Sequence, residues 1–325
     1  MRPNLPIQVL TLVIITATGC ASRYVEPAPQ QSVGDNFPII RVAVGTGQHI
    51  QKVYLEEYVR GSVPAEMPLS ASNLASASQL AQLQSILART YALANLGRHS
   101  YEGFDLCSTT HCQIYRSSSS PPSRISKLVS DAVARTEGLI ITDGNGPIQA
   151  VFHADCGGHT SSATAIWGGL GPVYLSGVED QLCKFPPRDS WLIKIAPDQL
   201  RDILNAHRDT RVGQRLDSVV VLRYDQGGRA TEVMLEGTEN KKVRGERLRS
   251  IISGKLGGRV FRSSQFTVHV TSGQFLFQGT GFGHGVGLCQ LGAIARVRRG
   301  DSLESILGHY YPGTWIEPHS VQPTT

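Results

Sequence analysis

Three features that would assign a protein to a function class at once are missing from this sequence. The net charge of +5 comes from 31 basic and 26 acidic residues spread along the 325-residue chain without a long basic run, which disfavours a nucleic-acid-binding protein. No repeat of about 20 to 50 residues is present, which excludes solenoids and propellers. The apolar run from Leu5 to Ala17 is too short to span a bilayer. A globular chain remains, long enough for one large core or two smaller ones.

The N-terminal residues predict export. Arg2 precedes the short apolar run, and small residues lead into Gly19-Cys20, so residues 1–20 have the pattern of a signal peptide. The ending resembles a bacterial lipobox, which implies lipidation of Cys20 and membrane attachment through that lipid. An ordinary signal peptide with an incidental cysteine is the alternative. Residues 21–36 are rich in Pro, Gln and Ser and predict a flexible tether. We therefore expect an exported protein that is lipid-anchored to the cell envelope.

Hydrophobic periodicity predicts both strands and helices. The strand-like runs are Ile39 to Val44, Ile50 to Leu55, Leu139 to Thr142, Ile148 to His153, Ser218 to Tyr224 and Phe266 to Val270. The helix-like runs are Asn73 to Asn95, Pro197 to His207 and Leu291 to Arg299. Because the two types do not alternate regularly, the fold class predicted is α+β rather than a doubly wound parallel sheet.

A glycine occupies every second position from Gly279 to Gly287, and His284 lies among them. The spacing is not G-x-G-x-x-G and no Lys-Ser/Thr follows, so a phosphate-binding loop is disfavoured. An extended segment with this pattern would have one face without side chains. Either a neighbouring backbone packs closely against that face, or the bare face borders a groove in which a ligand lies.

Further motifs occur in a fixed order along the chain. They are VYLEEYVRGSVPAEMP (53–68), ARTYAL (88–93), FDLC with THCQIY (104–115), AVFH with CGGHT (150–160), GFGHGVGLCQLGA (281–293) and HYYPGT (309–314). Together they resemble the SpoIID/LytB family, the stage II sporulation protein D and amidase-enhancer group. The resemblance covers about Ile39 to Thr314 and implies one family domain over residues 37–316, in one or two lobes around a glycan-binding groove, with a tail at 317–325.

The resemblance implies cell-wall chemistry. Sporulation members look like lytic transglycosylases, which cut peptidoglycan glycan strands that lack stem peptides and leave 1,6-anhydromuramoyl ends. Other members suggest a different function, a non-catalytic glycan-binding protein that stimulates an N-acetylmuramoyl-L-alanine amidase. The partners implied are glycan strands and, in the second case, a cell-wall amidase.

Glu66 matches the catalytic acid of the family. Such an acid must stay protonated near neutral pH, which requires an environment that raises its pKa. Glu66 lies among apolar residues between Pro64 and Pro68, so we expect a stiff loop and partial desolvation. No second acid stands out in the motifs. A single acid is sufficient if the attacking group is the sugar's own 6-hydroxyl. Without the resemblance, Glu66 would be interpreted as a first-turn residue of a following helix.

The same motifs supply candidate substrate ligands. A guanidinium at Arg89 could hold a muramoyl lactate group and the ring of Tyr91 could stack on a sugar, although a surface salt bridge and a core tyrosine are the alternatives. The remaining candidates are Gln113, Tyr115, His153, His284 and Gln290.

Cys107, His111 and Cys112, with His99 upstream, form a donor set that zinc favours. Family members that hold a structural zinc with two Cys and two His at this place point the same way, although Tyr101 is nearer to the position of the family's histidine. A Cys107–Cys112 disulfide is the competing prediction for an exported protein.

Three more cysteines follow. We predict a disulfide between Cys156 and Cys183, which would leave Cys289 in the glycine motif as a free thiol.

Overall fold

The structure is a computed structural model that describes residues 38–45, 49–117, 123–184 and 190–319. The predicted signal peptide with Cys20, the tether at 21–36 and residues 320–325 of the tail lie outside these ranges. Within the described ranges, no helix has both the length and the apolar character needed to cross a membrane.

Helices and strands both occur in the described ranges, which confirms the α+β prediction. The strands are β1 Ile39–Val44, β2 His49–Tyr54, β3 Leu106–Cys107, β4 Leu139–Thr142, β5 Phe152–His153, β6 Trp191–Ile195, β7 Leu216–Tyr224, β8 Ala230–Gly237, β9 Lys241–Val243, β10 Phe266–Thr271, β11 Gln274–Gly279, β12 Leu288–Cys289 and β13 Trp315–Pro318. The helices are α1 Leu55–Glu66, α2 Leu74–Ala94, α3 Arg124–Arg135, α4 Ala163–Trp167, α5 Gln181–Lys184, α6 Pro197–Asn205, α7 Gly245–Leu256, α8 Gln290–Arg299 and α9 Leu303–Tyr310.

The strands form several small sheets. Three-stranded sheets have the orders β2-β1-β3, β10-β11-β6 and β7-β8-β9, and the two-stranded pairs are β12 with β5 and β13 with β4. The β5–β12 pair is parallel and places Cys289 opposite His153. This short ladder joins the AVFH motif to the end of the glycine motif.

Helix α2 is the central element of the first half of the chain. Its N-cap residue Asn73 accepts a hydrogen bond from the backbone N–H of Ser76 at 3.1 Å, which satisfies one of the amides that a helix start leaves unpaired. Leu83, Ile86 and Leu87 are completely buried, and each such side chain stabilises the fold by about 1.5 to 3 kcal/mol. Every residue from Leu83 to Ala92 is buried, as is typical of a helix inside a core.

Three hydrophobic clusters make up the described core. One joins β1, α1, α2 and α3, and a second joins the other face of α2 to β4, α8 and α9. The third is built from residues 191–277, with α6 and α7 packed on strands of two sheets. The predicted division into two lobes stays a prediction.

Candidate active site

A cavity of about 1110 Å³ opens where the motifs meet. Its walls come from the end of α1, the Cys107–Ile114 loop, the AVFH motif, the segment after α4 and the glycine motif. Five predicted catalytic or substrate-binding residues line it, namely Glu66, Tyr91, His153, His284 and Gln290. A second cavity, of about 1000 Å³ between α6 and α7, contains no predicted site residue.

Glu66 is the last residue of α1, whereas the sequence predicted a loop that precedes a helix. Pro68 explains the difference, because a proline pushes the residue before it into an extended conformation. Met67 has φ −103° and ψ 125°, so the helix ends directly after Glu66, with Pro64 inside its last turn.

Two local effects act on the Glu66 carboxyl group. Burial raises its pKa and outweighs the opposite effect of the Ile114 N–H, which donates to Oε1 at 2.5 Å. A helix C-terminus carries partial negative charge, which also disfavours a carboxylate there. The environment therefore favours the protonated form that a general acid needs.

The cavity is otherwise free of acids. Among the residues that the structure describes, Glu66 is the only carboxylate in the cavity wall, whereas Arg98, Arg249 and Arg259 also line it. Arg249 is paired with the Glu246 carboxylate at 2.5 Å, which leaves Arg98 and Arg259 as the guanidinium groups that suit an anionic ligand. The described wall provides no carboxylate partner for Glu66.

Both histidines of the site are held as neutral imidazoles. His284 donates from Nε2 to the carbonyl of Phe152 at 2.9 Å and accepts at Nδ1 from the N–H of Val286 at 3.1 Å. Burial lowers the pKa of His284 to about 4 and lowers that of His153 as well. His153 donates from Nδ1 to the carbonyl of Val286 at 3.1 Å, and its Nε2 has no partner among the described residues. This Nε2 is enclosed by protein atoms, so a ligand hydroxyl could reach it only after its surroundings rearrange.

The glycine motif is not the extended segment that its period of two predicted. Gly281, Gly283, Gly285 and Gly287 all have φ between 69° and 100°, in the left-handed region that glycine adopts most readily. A Cβ at Gly287 would lie 2.1 Å from the carbonyl oxygen of Val151. The close-packing interpretation therefore holds, with every second residue turned so that the chain fits against the AVFH motif.

Tyr91 and Gln290 both line the cavity beside Glu66, and each makes a hydrogen bond within its wall. The Tyr91 hydroxyl accepts from Arg98 at 3.3 Å, and burial raises the pKa of Tyr91 to about 12. Gln290 is the first residue of α8 and donates from Nε2 to the backbone carbonyl of Glu66 at 3.0 Å. This bond joins the start of α8 to the end of α1, so Gln290 positions the backbone of Glu66.

Arg89, Gln113 and Tyr115 are in the core and not in the cavity wall. Arg89 is completely buried and makes a bidentate ion pair with Glu56 at 2.6 and 2.7 Å. Tyr115 stacks on Tyr58 with ring centroids 5.3 Å apart, and Gln113 is 1% exposed. Arg89 and Tyr115 thus have partners inside the protein, whereas the Gln113 amide is buried without a hydrogen-bond partner among the described residues. Their substrate-binding roles stay predictions that this placement does not favour.

The predicted metal ligands come together beside the cavity. The donor atoms of His99, Cys107, His111 and Cys112 all lie within 4.8 Å of one another, and His111 Nδ1 is 3.7 and 3.6 Å from the two sulfurs. Tetrahedral zinc would separate such atoms by roughly 3.3 to 3.8 Å. His99 Nδ1 bonds to the Glu102 carboxylate at 2.6 Å, which leaves Nε2 for a metal, a common arrangement around metal-bound histidine. The group can hold a metal ion.

The other three cysteines form a cluster rather than a pair. Cys156, Cys183 and Cys289 are present as thiols, and the sulfurs of Cys183 and Cys289 are 3.4 Å apart, compared with about 2.0 Å in a disulfide. The prediction of a Cys156–Cys183 disulfide with an isolated Cys289 is therefore corrected, because the fold brings Cys289 to the same point.

Comparison with known proteins decides the family. A family model described as stage II sporulation protein, SpoIID, matches residues 44–142. Stage II sporulation protein D of Bacillus amyloliquefaciens is 30% identical over 286 residues, which cover 83% of this chain and 76% of that protein. The chain belongs to the SpoIID family.

Two further relatives come from Bacillus subtilis strain 168. Its stage II sporulation protein D is 27% identical over 294 residues, covering 86% of this chain and 78% of that protein. A protein named amidase enhancer is 26% identical over 309 residues, which cover 79% of this chain and 40% of that protein. These matches confirm the resemblance to the SpoIID/LytB family.

In this SpoIID-family chain, one aromatic and three basic residues of the cavity wall were not predicted from the sequence. Trp167 is 44% exposed and its ring lies 5.3 Å from that of His284. Arg98, Arg249 and Arg259 complete the set. None of them belongs to a quoted motif, and three arginines are not conspicuous among 31 basic residues.

Proposed function

We propose that this chain is a lytic transglycosylase that cleaves peptidoglycan glycan strands lacking stem peptides and leaves 1,6-anhydromuramoyl ends. The observation that carries the proposal is the cavity with Glu66 as the only carboxylate in its described wall. Glycoside hydrolases generally use two carboxylates, the second of which acts as nucleophile or activates water. A transglycosylase needs one, because the attacking hydroxyl belongs to the substrate.

Glu66 serves first as acid and then as base. Its proton passes to the glycosidic oxygen as the bond from that oxygen to the anomeric carbon breaks. The carboxylate then takes the proton of the muramoyl 6-hydroxyl, whose oxygen bonds to the anomeric carbon. Glu66 is protonated again at the end, and no water is consumed. The raised pKa of Glu66 suits both steps, since an acid is most effective when its pKa is near the working pH.

The cavity wall also suits the substrate. A strand without stem peptides carries a free lactyl carboxylate on each muramoyl residue, and Arg98 and Arg259 supply the complementary charge. The exposed ring of Trp167 can stack on a sugar face.

We also propose that His99, Cys107, His111 and Cys112 hold a structural zinc. A bound zinc would cross-link the loop that supplies the Ile114 N–H to Glu66. The metal has no part in the reaction.

For localisation, we propose export through residues 1–20 and lipidation at Cys20, which would hold the domain at the cell envelope. Metabolic labelling with a fatty acid tests this proposal: wild type should be labelled and Cys20→Ala should not. A labelled Cys20→Ala protein, or an unlabelled wild type, would contradict it.

The decisive experiment on function compares wild type with Glu66→Gln on glycan strands freed of stem peptides by an amidase. Mass spectrometry should find anhydromuramoyl ends with wild type and none with the variant. Glu57→Gln is the matched control, because Glu57 is an exposed glutamate at the other end of the same helix, and it should behave as wild type. Retained anhydro product with Glu66→Gln would remove Glu66 from its role.

One observation favours a second candidate function. A relative named amidase enhancer suggests a non-catalytic glycan-binding protein that stimulates a cell-wall amidase. In that case Glu66→Gln would still stimulate the amidase, and wild type would yield no anhydro ends.

A further inference from the structure

We propose that Cys156, Asp180, Cys183 and Cys289 form a second, buried metal site for zinc, separate from the group at His99. All four residues are buried, and one donor atom from each lies within 4.8 Å of the other three. The sulfurs of Cys183 and Cys289 are 3.4 Å apart, and Cys156 Sγ is 3.7 Å from Asp180 Oδ2. Tetrahedral zinc separates sulfur and oxygen ligands by roughly 3.5 to 3.8 Å. Three thiolates and a carboxylate are a donor set that zinc accepts.

The four ligands come from three distant parts of the chain. Cys156 follows β5, Asp180 directly precedes α5, and Cys183 is inside α5. Cys289 is the last residue of β12 and the N-cap of α8. The parallel pairing of β5 with β12 fixes Cys289 near Cys156. A metal here would cross-link these three segments.

Backbone amides surround the sulfurs as they do around metal-bound thiolates. The N–H groups of Cys156 and Gly292 donate to Cys289 Sγ at 3.3 and 3.4 Å. The N–H of Gly158 donates to Cys156 Sγ at 3.4 Å. Such outer contacts orient ligands and stabilise their negative charge.

The carboxylate ligand is also oriented by its surroundings. Tyr310 donates its hydroxyl to Asp180 Oδ2 at 2.6 Å, and Arg296 lies 3.5 Å from Oδ1. Arg229, which is completely buried, donates to the carbonyl of Cys156 at 3.5 Å. The Asp155 carboxylate is also near, with Oδ1 3.2 Å from Cys183 Sγ. A divalent ion and these two guanidinium groups would offset the charge of the four ligands and leave Asp155 as the remaining negative group. Burial of such a set is favourable only when the charges are compensated.

A disulfide explains this cluster less well than a metal does. A disulfide would use two of the three thiols, and it gives no reason for a carboxylate directed at the same point. A metal uses all four groups. It would also brace the start of α8, where Gln290 holds the backbone of Glu66.

The test measures zinc in the full chain purified under reducing conditions, using three variants. Cys289→Ser removes a ligand of the proposed site, Cys112→Ser removes a ligand of the other group, and the third variant carries both changes. We expect Cys112→Ser to retain about one bound zinc per chain. The double variant should lack this zinc. A metal-free Cys112→Ser protein would overturn the proposal.

A second measurement covers the case in which Cys289→Ser does not fold. Cobalt(II) is added to metal-stripped Cys112→Ser protein, and thiolate-to-cobalt charge-transfer absorption is recorded. A charge-transfer absorption as intense as three thiolates produce supports the site. In this variant the His99 group retains only one cysteine, Cys107, which cannot produce that intensity. Absence of this absorption, or a thiol count after denaturation without reductant that shows two of the three cysteines oxidised, would contradict it.

Discussion

Replacing Arg89 by methionine should destabilise the protein strongly without a direct effect on substrate binding. The side chain is 0% exposed, and its ion-pair partner Glu56 is 9% exposed. Removing one member of a buried pair leaves an uncompensated charge and costs about 3 to 5 kcal/mol. At roughly 2 to 4 °C per kcal/mol for a chain of this size class, the melting temperature should fall by about 6 to 20 °C.

Thermal unfolding followed by circular dichroism measures this change. Arg89→Met combined with Glu56→Leu should recover most of the loss, because apolar replacements of a whole buried pair are often neutral. Arg298→Met is the control: Arg298 is exposed, and such changes usually stay within about 0.5 kcal/mol. A wild-type melting temperature for Arg89→Met, together with a raised KM for glycan, would show that Arg89 binds substrate after all.

Three further predictions concern the cavity. Because burial raises the pKa of Glu66, catalytic activity should fall as pH rises through that pKa. Between the ordinary glutamate pKa and the raised one, the unfolded wild-type chain ionises Glu66 while the folded chain does not, so Glu66→Gln should gain stability relative to wild type as pH rises through this window and keep that gain above it; a stability difference that is independent of pH would contradict this. Trp167→Ala should raise KM for glycan about tenfold through loss of a ligand contact worth about 1.4 kcal/mol, with an unchanged melting temperature, and an unchanged KM would remove Trp167 from the binding surface. A strong chelator should lower both melting temperature and activity, more in wild type than in Cys112→Ser, and added zinc should restore wild type; equal effects on the two proteins would speak against zinc at that group.

Some parts of the site could be predicted because local chemistry determines them. The donor set from His99 to Cys112 lies within 14 residues of sequence, so a short loop brings it together. Glu66 was singled out by its motif. Its partial burial follows from its position at the end of α1, where it contacts the Cys107–Ile114 loop. Helix α2 was visible in its periodicity, since Leu80, Leu83, Leu87 and Tyr91 recur at helical spacing in the sequence.

Other parts depend on contacts that no local pattern encodes. Arg89 looked like a surface ligand because its partner Glu56 is 33 positions away on another helix. The glycine motif looked extended because a period of two does not distinguish a strand from a chain that turns through positive φ at every second residue. Cys289 looked isolated because Cys183 is 106 positions away, and only the packing of α5 against α8 brings them together.

The central claim is that one carboxyl group and the substrate's own hydroxyl are enough for cleavage. Digestion of stem-peptide-free glycan strands in water enriched in heavy oxygen tests it directly, with mass spectrometry of the new ends. The account predicts anhydromuramoyl ends that contain no heavy oxygen. Reducing ends that carry one heavy oxygen atom would show hydrolysis by an activated water and would contradict it.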